Sequence, residues 1–381
     1  MDQAKFEGLL REFQARCSKQ HAIRDLAAVP GAANAPIVVL VHGIGGDARH
    51  WSNPAAIDPA ATWLFDLDSE PPPGPTGIRT SAPYAPGSVK SFCDRLRESR
   101  ISYINFSLSR PDDLLKFGVV DLVAVLRLLE QTVYQGYDQE VKAGGQAPPL
   151  VILCHSRGGL VTRAALAELG SAGVPHLRKV ISLTTPHHGS NMPRLANDYN
   201  TRLQTAVDFS AVAQRLPFFI RPFFEQTIDR YVDTLANGMR EAMLHSFGAL
   251  AHGPGFEELI PGNATLSNLA RTEKPLPGVQ YLGIGGSNPV FVKFYLSGLG
   301  QVAYLMSGIG SFVVERIAML PGVATTYGGL AELIKGDSAV GLQSSRWPDA
   351  FRAPHQDLAF NHMGALVNAP AQDAVLQMIR A

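Results

Sequence analysis

Val151-Ile152-Leu153-Cys154-His155-Ser156-Arg157-Gly158-Gly159-Leu160 is the stretch on which the reading of this chain turns. An apolar, β-prone run stops abruptly at a serine. Small residues follow, and Val161 to Leu169 then has the composition of a helix. Strand, tight turn and helix in that order lift a serine hydroxyl clear of the end of a sheet. A hydroxyl presented in this way suits nucleophilic acyl transfer, provided that a base stands close enough to take its proton.

Other segments alternate in the same manner. Pro36 to Val41 reads as a short buried strand ended by His42-Gly43-Ile44-Gly45-Gly46, and Ile101 to Leu108 as another strand. Leu114 to Val133 keeps a 3.6-residue apolar period and predicts a long helix. Leu150 to Leu153, Lys179 to Leu183 and Val279 to Ile284 are further strand candidates, each with a turn after it. Strands separated by helices imply an α/β architecture with a mostly parallel, doubly wound sheet. Ahead of it, residues 1–35 are expected to form a helical extension, with Phe6, Leu9, Leu10 and Phe13 on one face. Residues 36–381 then form one domain.

Two insertions interrupt that domain, at about 206–256 and 289–333. The first holds Pro217-Phe218-Phe219-Ile220-Arg221-Pro222-Phe223-Phe224, followed by Ile228, Tyr231, Val232, Leu235, Met239 and Met243 on one helical face. Phe218, Phe219, Phe223 and Phe224 are expected to face substrate or an interface, because large apolar patches mark binding surfaces. The second contains Tyr295 to Val314, twenty residues without a charge, which is the length of a membrane span. Its four glycines, Gln301 and three serines dilute the hydrophobicity, so a lid or cap element is the expectation. Residues 66–90, with Pro71-Pro72-Pro73, read as a surface loop.

Bulk composition removes several classes of function. The 381 residues carry 33 Lys and Arg against 33 Asp and Glu, a net charge of zero, and have no basic tract. That argues against nucleic acid as a partner and against polybasic attachment to anionic lipid. Charged residues amount to 17% while hydrophobic residues reach 46%, so apolar surface is to spare. Cys17, Cys93 and Cys154 are an odd number, which suits a reducing compartment. The first residues lack the basic-then-apolar layout of a signal peptide. Cytoplasmic residence is the default expectation, with leaderless export as the other route.

A serine nucleophile needs three kinds of help. Of eleven histidines, His362 in Phe360-Asn361-His362-Met363-Gly364 is the expected base, late in the chain where a loop could return it to Ser156; His355 is the alternative. His42 precedes the glycine turn and His155 the serine, and both are expected to be structural; His187 and His188 lie in a turn after a strand and are expected to brace the site. An acid must orient the imidazole, and Asp337 gives the order Ser, Asp, His, with Asp349 and Asp357 as alternatives. Fixed backbone donors must hold the oxyanion, and the amides of Ile44 and Arg157 are the expected pair.

These residues resemble the bacterial triacylglycerol lipase and esterase group of α/β-hydrolases, which includes the Pseudomonas and Burkholderia lipases. The matching blocks are Pro36–Gly46, Val151–Gly159, Leu183–Ser190, Tyr281–Ser287, and Asp337–Ser345 with Asn361–Leu366. Glu258 to Asn268 also looks like that group's segment between lid and core. The resemblance covers about 36–205, 257–288 and 334–381 and implies the α/β-hydrolase fold; the helical lid or cap insertions expected above lie outside it. Cys154 departs from it, standing where the G-x-S-x-G motif has its first glycine. Gly364 and Ala365 stand where secreted members carry a calcium-binding aspartate, so no metal and no cofactor are expected. The implied activity is hydrolysis of esters with a hydrophobic acyl group, through Ser156, Asp337 and His362, with transient lipid contact through the lid. A phospholipase, including a leaderless effector that attacks lipids, is the nearest alternative. A non-catalytic lipid- or partner-binding homologue is the alternative of another class.

Overall fold

The five side chains of Ile37–Val41 (β2) are all fully buried, as are those of Leu150–His155 (β5) beside it but for a trace at His155. Strands buried on both faces read as continuous apolar runs, and each such Val, Leu or Ile contributes roughly 1.5–3 kcal/mol. In the computed structural model, residues 1–20, 23–54, 78–80, 90–141, 147–193, 253–288, 294–296, 335–337 and 339–381 are described. Seven strands form the main sheet. They are Arg24–Val29 (β1), β2, Ser102–Ser107 (β4), β5, Leu177–Leu183 (β6), Gln280–Gly286 (β7) and His355–Leu358 (β9). Their order is β1-β4-β2-β5-β6-β7-β9, and every pairing is parallel except β1 with β4.

The two-residue period of the strands divides the core into two layers. Ile37, Val39, Val41, Ile152, Cys154 and Val180 face one layer, with the helices Gln3–Gln20 (α1), Leu115–Leu129 (α4) and Gly158–Gly173 (α6). Val38, Leu40, Val151, Leu153 and Ile181 face the other, with Phe92–Glu98 (α3) and Ala369–Arg380 (α9). Shorter helices fall at Arg49–Ser52 (α2), Gln135–Val141 (α5), Pro254–Glu257 (α7) and Ala264–Thr272 (α8). The chain leaves β2 first for β4 on one side and later for β5 on the other. Such a reversal opens a crevice beyond the carboxyl ends of the strands, where ligands of open α/β sheets bind. Val41 pairs with Cys154 at those ends, so the glycine turn after β2 and the serine turn after β5 lie side by side.

The N-terminal segment is not wholly helical. Phe6, Leu10, Phe13 and Cys17 bury one stripe of α1, but Arg24–Val29 continues as an edge strand antiparallel to β4. Two charges and a left-handed Asp25 (φ 53°) hide that strand from a search for apolar alternation. The long helix also runs on past Val133, through a π-helical turn at Glu130–Tyr134 into α5. The expected surface loop at 66–90 contains a short strand, Ile78–Thr80 (β3). It pairs with Phe294–Leu296 (β8), from the second expected insertion, as a two-stranded antiparallel ribbon. Phe218, Phe219, Phe223 and Phe224 lie outside the described residues, as does 297–314. No helix of the described residues is long and apolar enough to cross a membrane.

Candidate active site

Ser156 occupies the turn between β5 and α6 with φ at 54°. A side chain in the left-handed region stores roughly 1–3 kcal/mol of strain, which the surroundings must overrule. They do so with hydrogen bonds on both sides: Ser156 N–H donates to Leu183 O at 3.0 Å, and Gly159 N–H to Ser156 O at 3.0 Å. The helix can start at once because Gly158 has no side chain. A Cβ there would come within 2.5 Å of the carbonyl oxygens of both Val41 and His42. Cys154, in the place of the motif's first glycine, is accommodated in the interior. Its thiol donates to Ile181 O at 3.4 Å, and burial pushes it up to about 12.

His362 stands on the loop after β9 and Asp337 beside Gly286 at the end of β7. The Ser156 Oγ–H donates to His362 Nε2 at 2.9 Å, and His362 Nδ1–H donates to Asp337 Oδ2 at 2.8 Å. Asp337 is 1% exposed and its other oxygen is also occupied: Oδ1 accepts from Ala339 N–H at 3.0 Å and Val340 N–H at 2.7 Å. Backbone contacts fix the same pair a second time, since His362 N–H donates to Asp337 O at 2.8 Å. The alternatives lie elsewhere. His355 Nε2 is 2.9 Å from Asp357 Oδ1 in a separate cluster with Ser345, and Asp349 opens a short 3₁₀ turn, Asp349–Phe351.

The amides of Ile44 and Arg157 belong to the two turns that meet beyond β2 and β5. Among the described residues, neither donates to an acceptor. The Arg157 side chain is buried and bonds away from Ser156. It donates to Pro111 O at 3.1 Å and to Asp113 O, and lies 3.6 Å from Glu258. Burial pulls its guanidinium below the ordinary value while Glu258 opposes that shift. Arg157 thus ties the serine turn to the loop before α4 and to the segment after α7.

Three further histidines, His42, His50 and His187, are buried. His42 Nδ1–H donates to Gly43 O at 2.8 Å and Nε2 accepts from Leu108 N–H at 2.9 Å, which steadies the glycine turn. Burial lowers it to about 4. His187 is held between Trp347, 4.1 Å away between ring centres, and Arg163, whose Nη1 donates to His187 O at 2.7 Å. Arg163 itself pairs with buried Glu273. His50 on α2 is not a candidate on sequence grounds, yet its Nε2 lies 2.8 Å from His155 Nδ1. Nothing in the local sequence marks it, because its partner is 105 residues away. No group of three His, Cys, Asp or Glu side chains among the described residues could hold a metal ion.

Most of the chain matches a known family. The model of the alpha/beta hydrolase family matches residues 38–291, taking in the glycine turn and the serine turn. The chain belongs to that family. No curated protein matches the sequence. Among solved structures, this hydrolase fold is similar to a lipase of Bacillus licheniformis in mature form, with 15% identity over 93% of this chain and 97% of the other and a TM-score of 0.48. It is also similar to a monoacylglycerol lipase of Paleococcus ferrophilus, with 10% identity over 94% and 98% of the chains and a TM-score of 0.38. An enol-lactonase of Burkholderia xenovorans shares 14% identity over 95% and 99%, with a TM-score of 0.35. These identities are too low for any of the three activities to transfer.

Proposed function

We propose that this hydrolase-family chain is a serine carboxylic-ester hydrolase that works through an acyl-enzyme. The observation that carries the reading is the unbroken line from Ser156 Oγ to His362 Nε2 at 2.9 Å and from His362 Nδ1 to Asp337 Oδ2 at 2.8 Å. His362 accepts the hydroxyl proton as Ser156 attacks the ester carbonyl, and the amides of Ile44 and Arg157 hold the oxyanion. The imidazolium then protonates the leaving alcohol. Water, deprotonated by His362, attacks the acyl-enzyme, and the same proton returns to Ser156 as the acid leaves. Asp337 stays ionised throughout, holding the imidazole in the tautomer that leaves Nε2 free.

The acyl group in this proposal is hydrophobic, on the strength of the phenylalanines at 218, 219, 223 and 224, which serve as acyl-pocket or lid residues. The test is turnover of a series of nitrophenyl esters from acetate to palmitate by the protein and by its Ser156→Ala variant. The proposal expects activity that S156A reduces by about 10⁶-fold, to the level left by binding and the oxyanion donors. Equal turnover by the two proteins would sink it.

A further inference from the structure

The residue before the nucleophile makes a contact that the chemistry above leaves unused. His155 is 1% exposed, and its Nε2 lies 3.0 Å from the carbonyl oxygen of His362. A carbonyl only accepts, so this nitrogen carries the proton. In the neutral ring Nδ1 is then an acceptor, and it lies 2.8 Å from His50 Nε2, which therefore donates. His50 ends the chain: its Nδ1 is buried without a partner among the described residues. The backbone of His362 is thus held from both sides, through its N–H by Asp337 O at 2.8 Å and through its C=O by His155.

We propose that His50 and His155 form a positioning relay that sets the base of the triad in register with the nucleophile next to which His155 is built. This inference rests on the triad reading of the preceding subsection. The relay has a logic in sequence. His155 and Ser156 are adjacent, so any movement of the serine turn carries the His155 donor with it and draws the His362 loop along. His50 fixes the tautomer: without its N–H, the proton of His155 is free to move to Nδ1, and Nε2 would face the carbonyl as a second acceptor. Rigid packing completes the arrangement. Trp51 stacks edge-on to His50 and His155, at 5.9 and 6.4 Å between ring centres, and Phe92 packs against Trp51 at 5.4 Å.

Charge is kept out of the relay as well. The titratable groups that face it are His42 and His362, with Asp337 beyond His362. Burial, the largest cause, holds both relay histidines well below their ordinary range, so the relay is neutral when the reaction needs it. The His155 and His362 rings are 4.8 Å apart between centres, and a second cation at that distance would oppose the imidazolium that forms during turnover.

The test compares His155→Phe, His155→Gln, His50→Phe and the double variant H50F/H155F. Each folded preparation is titrated with a fluorophosphonate, and kcat and KM are measured on nitrophenyl butyrate. The glutamine of H155Q keeps an N–H for the His362 carbonyl, whereas the phenylalanine of H155F offers none. H155F is expected to lose about 10²-fold in kcat, as a misplacement of about 1 Å does. Its KM should stay within about twofold, because only the reacting geometry is disturbed. H155Q should recover most of that loss, H50F should lose about tenfold, and the double variant should match H155F because His50 acts through His155. A purely structural role would lower thermal stability and leave kcat per titrated site unchanged, and that result overturns the proposal. So does a glutamine variant no better than the phenylalanine one, or a double variant whose losses multiply. If the unmodified protein neither turns over the ester nor takes up phosphonate at Ser156, the triad reading itself has failed, which is a distinct outcome.

Discussion

Replacing Asp337 with asparagine changes one atom in a buried site, and the structure dictates what that atom does. The carboxylate has two distinct ends. Oδ1 receives the amides of Ala339 and Val340 at 3.0 and 2.7 Å, and Oδ2 receives His362 Nδ1–H at 2.8 Å. Backbone amides only donate, so the asparagine must leave its oxygen on them and turn its NH2 toward His362. Nδ1 then becomes the acceptor and the proton moves to Nε2, where it points at Ser156 Oγ. The base can no longer take the hydroxyl proton. Loss of the correct tautomer in a buried triad lowers kcat by about 10⁴-fold, which is about 5.4 kcal/mol at about 1.36 kcal/mol per factor of ten. The assay is steady-state hydrolysis of nitrophenyl butyrate by D337N, with circular dichroism to verify the fold. KM should hold, since Asp337 is buried behind the His362 ring. A folded D337N within about tenfold of the unmodified kcat would refute the tautomer argument and return the acid role to Asp349 or Asp357.

Two other perturbations follow from particular contacts. A Cβ on Gly43 would lie 2.9 Å from Ser156 Cβ and 3.4 Å from its Oγ. Gly43→Ala should therefore displace the nucleophile and reduce kcat by about 10²-fold while the protein still melts cooperatively. Unchanged kcat would mean that the serine turn yields freely. At the opposite end of the strands, just before β6, burial lowers the pKa of His176, but hydrogen bonding and charge from Glu130 at 2.6 Å, with Asp138, outweigh it and the net shift is upward. A histidine raised in the folded state contributes stability that is complete below its unfolded value of about 6.5 and is lost as pH rises through the folded value. Urea midpoints should therefore fall more steeply above about pH 6.5 in the unmodified protein than in Glu130→Gln; parallel curves would exclude the contribution.

Legibility from sequence tracks the physics of each element. β2 and β5 are readable because they are buried on both faces and so are apolar throughout. β1 and β9 are edge strands with one side open, and Arg24-Asp25 or His355-Gln356-Asp357 in such places look like loop. The π turn at Glu130–Tyr134 carries the helix on after the apolar period lapses, since Glu130, Gln131 and Thr132 supply no stripe. The order Ser, Asp, His favours His362 with Asp337 in the sequence, but spacing alone does not remove His355, Asp349 or Asp357. The decision comes from the sheet, whose β7 and β9 ends deliver His362 and Asp337 to Ser156 while His355 and Asp357 bond to each other. The His50–His155 contact has no sequence signal, because it depends on α2 folding back over the end of β5.

Covalent capture asks whether Ser156 is the nucleophile of this alpha/beta hydrolase. The protein is treated with one equivalent of a fluorophosphonate ester, digested, and mapped by mass spectrometry while residual ester hydrolysis is followed. One phosphonyl group per chain is expected, on the peptide containing Cys154-His155-Ser156-Arg157 and localised to Ser156, with hydrolysis lost in proportion to labelling. Full hydrolysis by a fully labelled protein, or an adduct on another residue that abolishes hydrolysis, would contradict the assignment of Ser156.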